Sequence, residues 1–220
     1  MTGQIKSERN FDLLPEWKSI VRINHIILNP PSFAVSGDVC TGSTELAKAL
    51  AGRFGYTYFG VGQLVRILSK KLGYRGQHER FVHDFRQIIQ DDPTIRLGLV
   101  GYVVEGRQVA IQAGRVKIPV LKILTTASPE IILERYARRE QIPKPEARSS
   151  LEKRLTEDDL LLEHCWQLTR DDIFNPERYD IIVDTSRSAP DEIVEEIIQV
   201  TSPVSTYSLN RQQPGPPASS

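Results

Sequence analysis

The chain has 220 residues, 40% of them hydrophobic and 25% charged, which is ordinary for a globular protein and enough to bury one α/β core. Lysine plus arginine equals aspartate plus glutamate at 28 each, so net charge gives no general attraction to nucleic acid or to a membrane surface. An anionic ligand has to be held by a local cluster, and the isolated Cys40 and Cys165, with no CxxC or Cys/His spacing, argue against a zinc site and for a reducing compartment.

The amino-terminal run MTGQIKSERNFDLLPEW is too charged for a signal peptide, and no segment approaches the ~18 apolar residues of a membrane span. A soluble, cytoplasmic protein is the expectation. Residues 1–30 read as an extension whose stretch FDLLPEWKSIVRINHIIL is apolar enough to dock on the body. A strand is expected at 33–36, a helix at 43–54 ending at Gly55, and a short strand at 56–59. Helical periodicity follows over 62–72 and 78–91, then a strand in LVGYVVEG and another in VLKILTTA. Pro129 opens the helix PEIILERYARRE with Ser128 as N-cap. The charged stretch QIPKPEARSSLEKRLTEDDL leads into a further helix, then the strand YDIIVDTS and the closing helix APDEIVEEIIQV, which keeps Ile193, Val194, Ile197 and Ile198 on one face. Strands alternating with helices imply βαβ crossovers and a parallel sheet of five strands covered on both faces. Residues 201–220, rich in Ser, Pro and Gln, read as a disordered tail.

The chemistry gathers at GDVCTGST, residues 37–44, between the first strand and its helix. Gly37 and Gly42 let the backbone turn with its N–H groups inward while the helix directs its positive end at the same point, a nest for phosphate. The run fits the phosphate-loop pattern GxxxxGK[ST] except that Ser43 stands where the lysine belongs. Thr44 is the hydroxyl that would hold Mg²⁺, and Asp38 puts a negative charge inside the loop that a metal or another residue has to offset. No pair among His25, His78, His83 and His164 has ligand spacing, so each reads as surface or satisfied core. Cys40 reads as a small space-filler in the loop.

The run VSGDVCTGSTELAKALAGRFGYTYFGVGQLVR resembles the nucleoside monophosphate kinases, and specifically the cytidylate kinase family, whose members share the glycine loop, the Ala/Leu-rich helix and a following TG-x-x-x-R turn. That turn is VGQLVR here, and the resemblance makes Arg66 an arginine that grips the acceptor phosphate. VVEGRQVA resembles the family's (D/E)GRD strand end, which implies a second acceptor arginine in Arg107 and its preceding acid in Glu105. LKILTTASPEIILERYARRE resembles the approach to the lid and implies that Arg135, Arg138 and Arg139 lie near the transferring phosphate, with Arg154 fitting one further lid arginine. YDIIVDTSRSAPDEIVEEII resembles the last strand and helix, so the likeness spans roughly residues 33–200. Departures are Ser43 for lysine, Glu45 for a small hydroxyl residue, Gln108 for the aspartate of GRD, and the leucines and acids of LTEDDLLLEHCW in the lid.

The resemblance implies an α/β P-loop nucleoside kinase fold with strand order 2-3-1-4-5, spanning 31–200, its acceptor region near 60–98 and its lid near 135–165. It implies ATP as phosphoryl donor, Mg²⁺ on the Thr44 hydroxyl, and CMP, dCMP or a related monophosphate as acceptor. Gly37, Asp38, Val39, Cys40, Thr41, Gly42, Ser43, Thr44 and Glu45 would bind the nucleotide, Arg66, Glu105 and Arg107 the acceptor, and Arg135, Arg139 and Arg154 would serve catalysis. Nucleotides are the expected partners, with no nucleic acid or membrane, in a monomer or weak dimer. Two alternatives stand beside this reading: a non-catalytic nucleotide-binding or scaffold protein of the same fold, and a kinase for another small acceptor, which Gln108 permits.

Overall fold

A computed structural model describes residues 19–74 and 78–202. Its strands are β1 (Ile20–Ile23), β2 (Ser32–Gly37), β3 (Thr57–Gly60), β4 (Tyr102–Glu105), β5 (Leu121–Thr126) and β6 (Ile181–Asp184). The helices are α1 (Ser43–Phe54), α2 (Val61–Lys71), α3 (His78–Gly98), α4 (Val109–Arg115), α5 (Pro129–Glu140), α6 (Lys144–Trp166), α7 (Arg170–Phe174) and α8 (Pro190–Thr201).

The sheet runs β1-β6-β5-β2-β4-β3. It is six-stranded and mixed, which corrects the expected five-stranded, all-parallel sheet of order 2-3-1-4-5. The strand that the periodicity missed is β1, which pairs antiparallel with β6 through Ile20↔Val183 and Ile23↔Ile181. Its signal is weak because IVRI buries only Ile20 fully, and an irregularity falls between Ile20 and Arg22. Glu196 on α8 ties it down by accepting the Ser19 and Ile20 amides at 3.2 Å each. The other pairings are parallel, giving the sequence β3-β4-β2-β5-β6 across that part of the sheet. Residues 1–18 of the expected extension and 203–220 of the expected tail lie outside the described residues, while Thr201 ends α8.

Three helical segments differ from the periodic reading. α3 continues through Pro93 to Gly98, with a kink at Phe85. Proline removes one backbone donor, but Ile89 and Leu97 on either side are buried and hold the helix to the core. α4 begins after a link of only three residues from Glu105, which hid it, and α6 takes in nearly the whole charged stretch from Lys144 onward. Both sheet faces are covered. α1 and α8 pack with Phe33, Val35, Leu121, Ile123 and Val183 on one side, while α2, α3 and α4 pack with Ala34, Val104, Leu124 and Ile182 on the other.

β2 is central, so Gly37 emerges at the carboxyl edge of the sheet between β4 and β5, where ligands of open α/β sheets gather. The packing there admits no side chain, because a Cβ on Gly37 would collide with the hydroxyl oxygens of Thr125 and Thr41. Gly52, in mid-α1, has nothing within 4 Å of such a Cβ. Alanine at these two positions should therefore act with opposite sign in chemical denaturation. Gly37→Ala is expected to lose about 1–3 kcal/mol by overpacking, and Gly52→Ala to gain about 0.5–1 kcal/mol from helix propensity.

Candidate nucleotide site

The loop between β2 and α1 is built on two left-handed residues, Cys40 at φ 62° and Gly42 at φ 83°. Gly42 is the N-cap of α1 and supplies no side-chain cap, so the first-turn N–H groups and the positive helix end face outward from the loop. Hydroxyls fasten the loop from beneath. Thr41 Oγ1 donates to the Asp38 carbonyl at 2.9 Å and lies 2.9 Å from Thr125 Oγ1, while Thr185 Oγ1 donates to the Thr41 carbonyl at 2.8 Å.

Ser43 does not face the loop opening alone. Its Oγ donates to Glu105 Oε1 at 3.0 Å, and Tyr58 donates to Glu105 Oε2 at 3.4 Å. Burial pushes the Glu105 carboxyl above its usual range, opposed by hydrogen bonds from Ser43 and Tyr58 and by the Arg66 charge. Burial and the adjacent carboxylate push the Tyr58 phenol up to about 12. The Cys40 thiol is raised by burial, with Arg139 pulling the other way, so it stays protonated at neutral pH and makes no reactive thiolate.

The acid inside the loop is offset by arginines from outside it. Asp38 accepts the Val39 N–H at 2.7 Å, pairs with Arg170 of α7, and lies 3.6 Å from Arg107. Arg107 also donates to Asp158 of α6 at 2.9 Å, and Arg154 donates to the same oxygen at 3.0 Å. Arg170 is shared with Asp159 at 3.0 Å. Burial alone would raise the Asp158 carboxyl, but Arg107 and Arg154 hold it below the usual carboxylate range.

Two clefts flank the loop. The first, ≈ 750 Å³, opens between the N-terminus of α1, α5 and the turn after β6, and is lined by Gly42, Ser43, Thr44 and Glu45 with Arg135 and Arg138. The second, ≈ 470 Å³, lies between α2, α3 and α6 and is lined by Gly37, Asp38, Val39, Glu105 and Arg107, with Gln108 beside them and an apolar wall that includes Val65, Val82 and Leu161. Cys40, Ser43, Thr44, Arg66, Arg139 and Arg154 line both. Of the expected site residues only Thr41 lines neither, since it is buried under the loop. Arg107 and Arg154 reach the site already paired with Asp158. Arg66 forms no ion pair among the described residues.

Sequence reasoning passed over Asp158, Arg170 and Thr185. Asp158 is legible in part, as an acid four residues after Arg154 on one helix face. Arg170 and Thr185 act across 132 and 144 positions of chain, and no local pattern marks them.

No family model matches the chain. A cytidylate kinase of Methanopyrus kandleri is 27% identical to it over 169 residues, which cover 69% of this chain and 83% of the relative. A cytidylate kinase of Ignicoccus hospitalis is 28% identical over 171 residues, covering 74% and 94%. A solved structure of shikimate kinase from Acinetobacter baumannii in complex with shikimate aligns at a TM-score of 0.53 and 15% identity, over 84% of this chain and 97% of that one. The chain is a distant relative of nucleotide kinases and has an α/β P-loop kinase-like fold.

The depressed Asp158 carboxyl gives a signed pH dependence. A folded pKa below the unfolded value adds stability above the unfolded pKa, and that stability is lost as pH falls through the folded one. Asp158→Asn should destabilise the protein by about 1–3 kcal/mol at pH 7, because the nearly buried Arg107–Asp158 contact is broken. The gap between wild type and variant should close as the pH is lowered below the ordinary carboxylate range, measured by urea denaturation at a series of pH values.

Proposed function

We propose that the protein is a cytidylate-kinase-like phosphotransferase that binds ATP with Mg²⁺ and moves the terminal phosphoryl group onto CMP, dCMP or a related monophosphate. The observation that carries this reading is the pair of clefts meeting at one loop, with Ser43, Thr44, Arg66, Arg139 and Arg154 common to both. A donor on one side and an acceptor on the other would place the moving group where these residues converge. The distant kinship to cytidylate kinases supports the acceptor class.

Phosphoryl transfer asks little covalent chemistry of the protein, since alignment and neutralisation of charge on the equatorial oxygens do most of it. In this reading the uncapped N-terminus of α1 and the loop amides cradle the donor phosphates. Thr44 fits a Mg²⁺ ion, which takes one or two protein oxygens and completes its shell with phosphate and water, and it needs no cluster of protein acids. The ion would supply positive charge that offsets the negative charge of the donor phosphates. Arg66 and Arg107 approach the acceptor cleft from α2 and from the end of β4 and would hold the monophosphate, while Arg139 and Arg154 reach the shared region from α5 and α6.

A second reading, of a nucleotide-binding protein without turnover, draws on two observations. Ser43 is engaged by Glu105 at the position where the motif carries a lysine, and Asp158 occupies both Arg107 and Arg154. The two readings part in a titration with ATP–Mg²⁺ and with CMP, followed by an assay for CDP. Binding of both ligands with CDP formation is the expected result. Binding of ATP without turnover would establish the second reading, and no binding of either nucleotide would refute both. Within the kinase reading, Arg66→Ala should weaken CMP about tenfold or more, as loss of a charge-assisted hydrogen bond does, and should weaken ATP less than CMP, because Arg66 lines both clefts while the donor phosphates are also held by the loop.

A further inference from the structure

Ser43, Glu105 and Tyr58 form a chain of hydrogen bonds at the junction of the two clefts, to which the reading above assigns no chemistry. We infer that Ser43 is a self-phosphorylation site: its hydroxyl takes the terminal phosphoryl group of a bound nucleoside triphosphate, with Glu105 as the proton acceptor. The inference rests on the donor half of the reading above and adds a second acceptor, carried by the protein itself.

The three side chains have the arrangement of an activated nucleophile, in which a hydroxyl and a base lie within hydrogen-bond reach and a third group orients the base. Ser43 Oγ donates to Glu105 Oε1 at 3.0 Å, and Tyr58 donates to the other oxygen, Oε2, at 3.4 Å. Gly60 makes room for the second contact, because a Cβ there would collide with the Tyr58 hydroxyl and press on Glu105 Oε2. Ser43 opens α1 directly after the uncapped Gly42, so its hydroxyl sits beside the amides that would cradle the donor phosphates. It lines both clefts, and Glu105 lines the one between α2, α3 and α6. A lysine in this place offers the phosphates a charge. A serine bonded to a carboxylate offers them an oxygen nucleophile.

The step balances. Ser43 Oγ forms a bond to the terminal phosphorus, the bond from that phosphorus to the bridging oxygen breaks, the nucleoside diphosphate leaves with the electron pair, and the hydroxyl proton passes to Glu105 Oε1. Protein kinases use a carboxylate in the same way to accept the proton of a substrate hydroxyl. The phosphoserine would carry more than one negative charge at neutral pH. It would be met by the N-terminus of α1 and by Arg66, which lines both clefts and forms no ion pair among the described residues. The other hydroxyls near the loop are placed differently. Thr41 is buried beneath it and donates to the Asp38 carbonyl, and Thr185 donates to the Thr41 carbonyl. Thr44 is the residue assigned to Mg²⁺, and Ser188 lines only the first cleft, with no carboxylate partner among the described residues.

The test is incubation of the full chain with ATP–Mg²⁺ in the absence of CMP, followed by intact-protein mass measurement and peptide mapping, with ATP affinity measured on the same preparations by calorimetry. Wild type should gain the mass of one phosphoryl group per chain, mapped to Ser43, at a rate independent of protein concentration because nucleophile and donor share one site. Ser43→Ala should stay unmodified. Glu105→Gln keeps the shape and removes the proton acceptor, so it should label at least about a hundredfold more slowly, the scale of general-base catalysis. Tyr58→Phe releases only Oε2 and should slow labelling less, at unchanged ATP affinity. If Glu105→Gln lacks a cooperative melt, Tyr58→Phe carries the comparison through that split between rate and affinity. A wild type that binds ATP–Mg²⁺ and gains no phosphoryl group would overturn the proposal and leave the donor reading standing, as would a phosphoryl group mapped to Thr44 or elsewhere. Labelling of Glu105→Gln at the wild-type rate, or a rate that rises with protein concentration, would overturn transfer within the site. A wild type with no affinity for ATP–Mg²⁺ would overturn the proposal together with the donor reading.

Discussion

The carboxylate of Asp38 is the point on which the site depends. It lies inside a phosphate-type loop, and left alone there it would repel phosphate and bear the cost of a partly buried charge, which for an unpaired ion amounts to several kcal/mol. Arg170 of α7 and Arg107 from the end of β4 both reach it, and Arg107 passes the pairing on to Asp158 and through it to Arg154 of α6. One chain of alternating charges thus connects the loop, the sheet edge and two helices. Each member is satisfied only when the others are in place, so the cleft between α2, α3 and α6 and the loop are assembled by the same contacts.

That network divides the charge unequally between the clefts. In the cleft between α2, α3 and α6, arginines face Asp38, Glu105 and Asp158, and much of the positive potential is spent internally. In the cleft between α1 and α5, Arg135 and Arg138 meet no carboxylate partner among the described residues, and the N-terminus of α1 adds its dipole to theirs. A polyanion gains more from the second arrangement, whereas the first can discriminate, because an incoming anion has to compete with Asp158 for Arg107 and Arg154. Glu105 sits between the two environments. Its hydrogen bonds from Ser43 and Tyr58 satisfy a buried acid that would otherwise demand a cation, which gives the serine at position 43 a structural task of its own.

The hydroxyl layer under the loop is the second constraint. Thr41 and Thr125 fill the space that a side chain at Gly37 would need, and Thr41 and Thr185 donate to the loop carbonyls of Asp38 and Thr41. The same Thr185 is one anchor of Arg135, so packing below the loop and charge beside it are coupled through one side chain.

Local chemistry in the sequence determined the elements that a short window can encode. Short apolar runs marked β2, β5 and β6, the helical period marked α1, α5 and α8, Ser128 capped α5, and the glycines at 37 and 42 located the loop. These signals depend on neighbours within a few residues, so no further knowledge of the fold is needed to read them. What the window could not encode, tertiary structure decided. β1 is a strand only because β6 and Glu196 complete its hydrogen bonds, and α3 runs past Pro93 because Ile89 and Leu97 are buried against the core. The arginines of the site were visible as residue types, but their commitments were not. Arg107 meets Asp158 across 51 positions and Arg170 meets Asp38 across 132, and the sign and partner of a charge at such separations are fixed by folding alone.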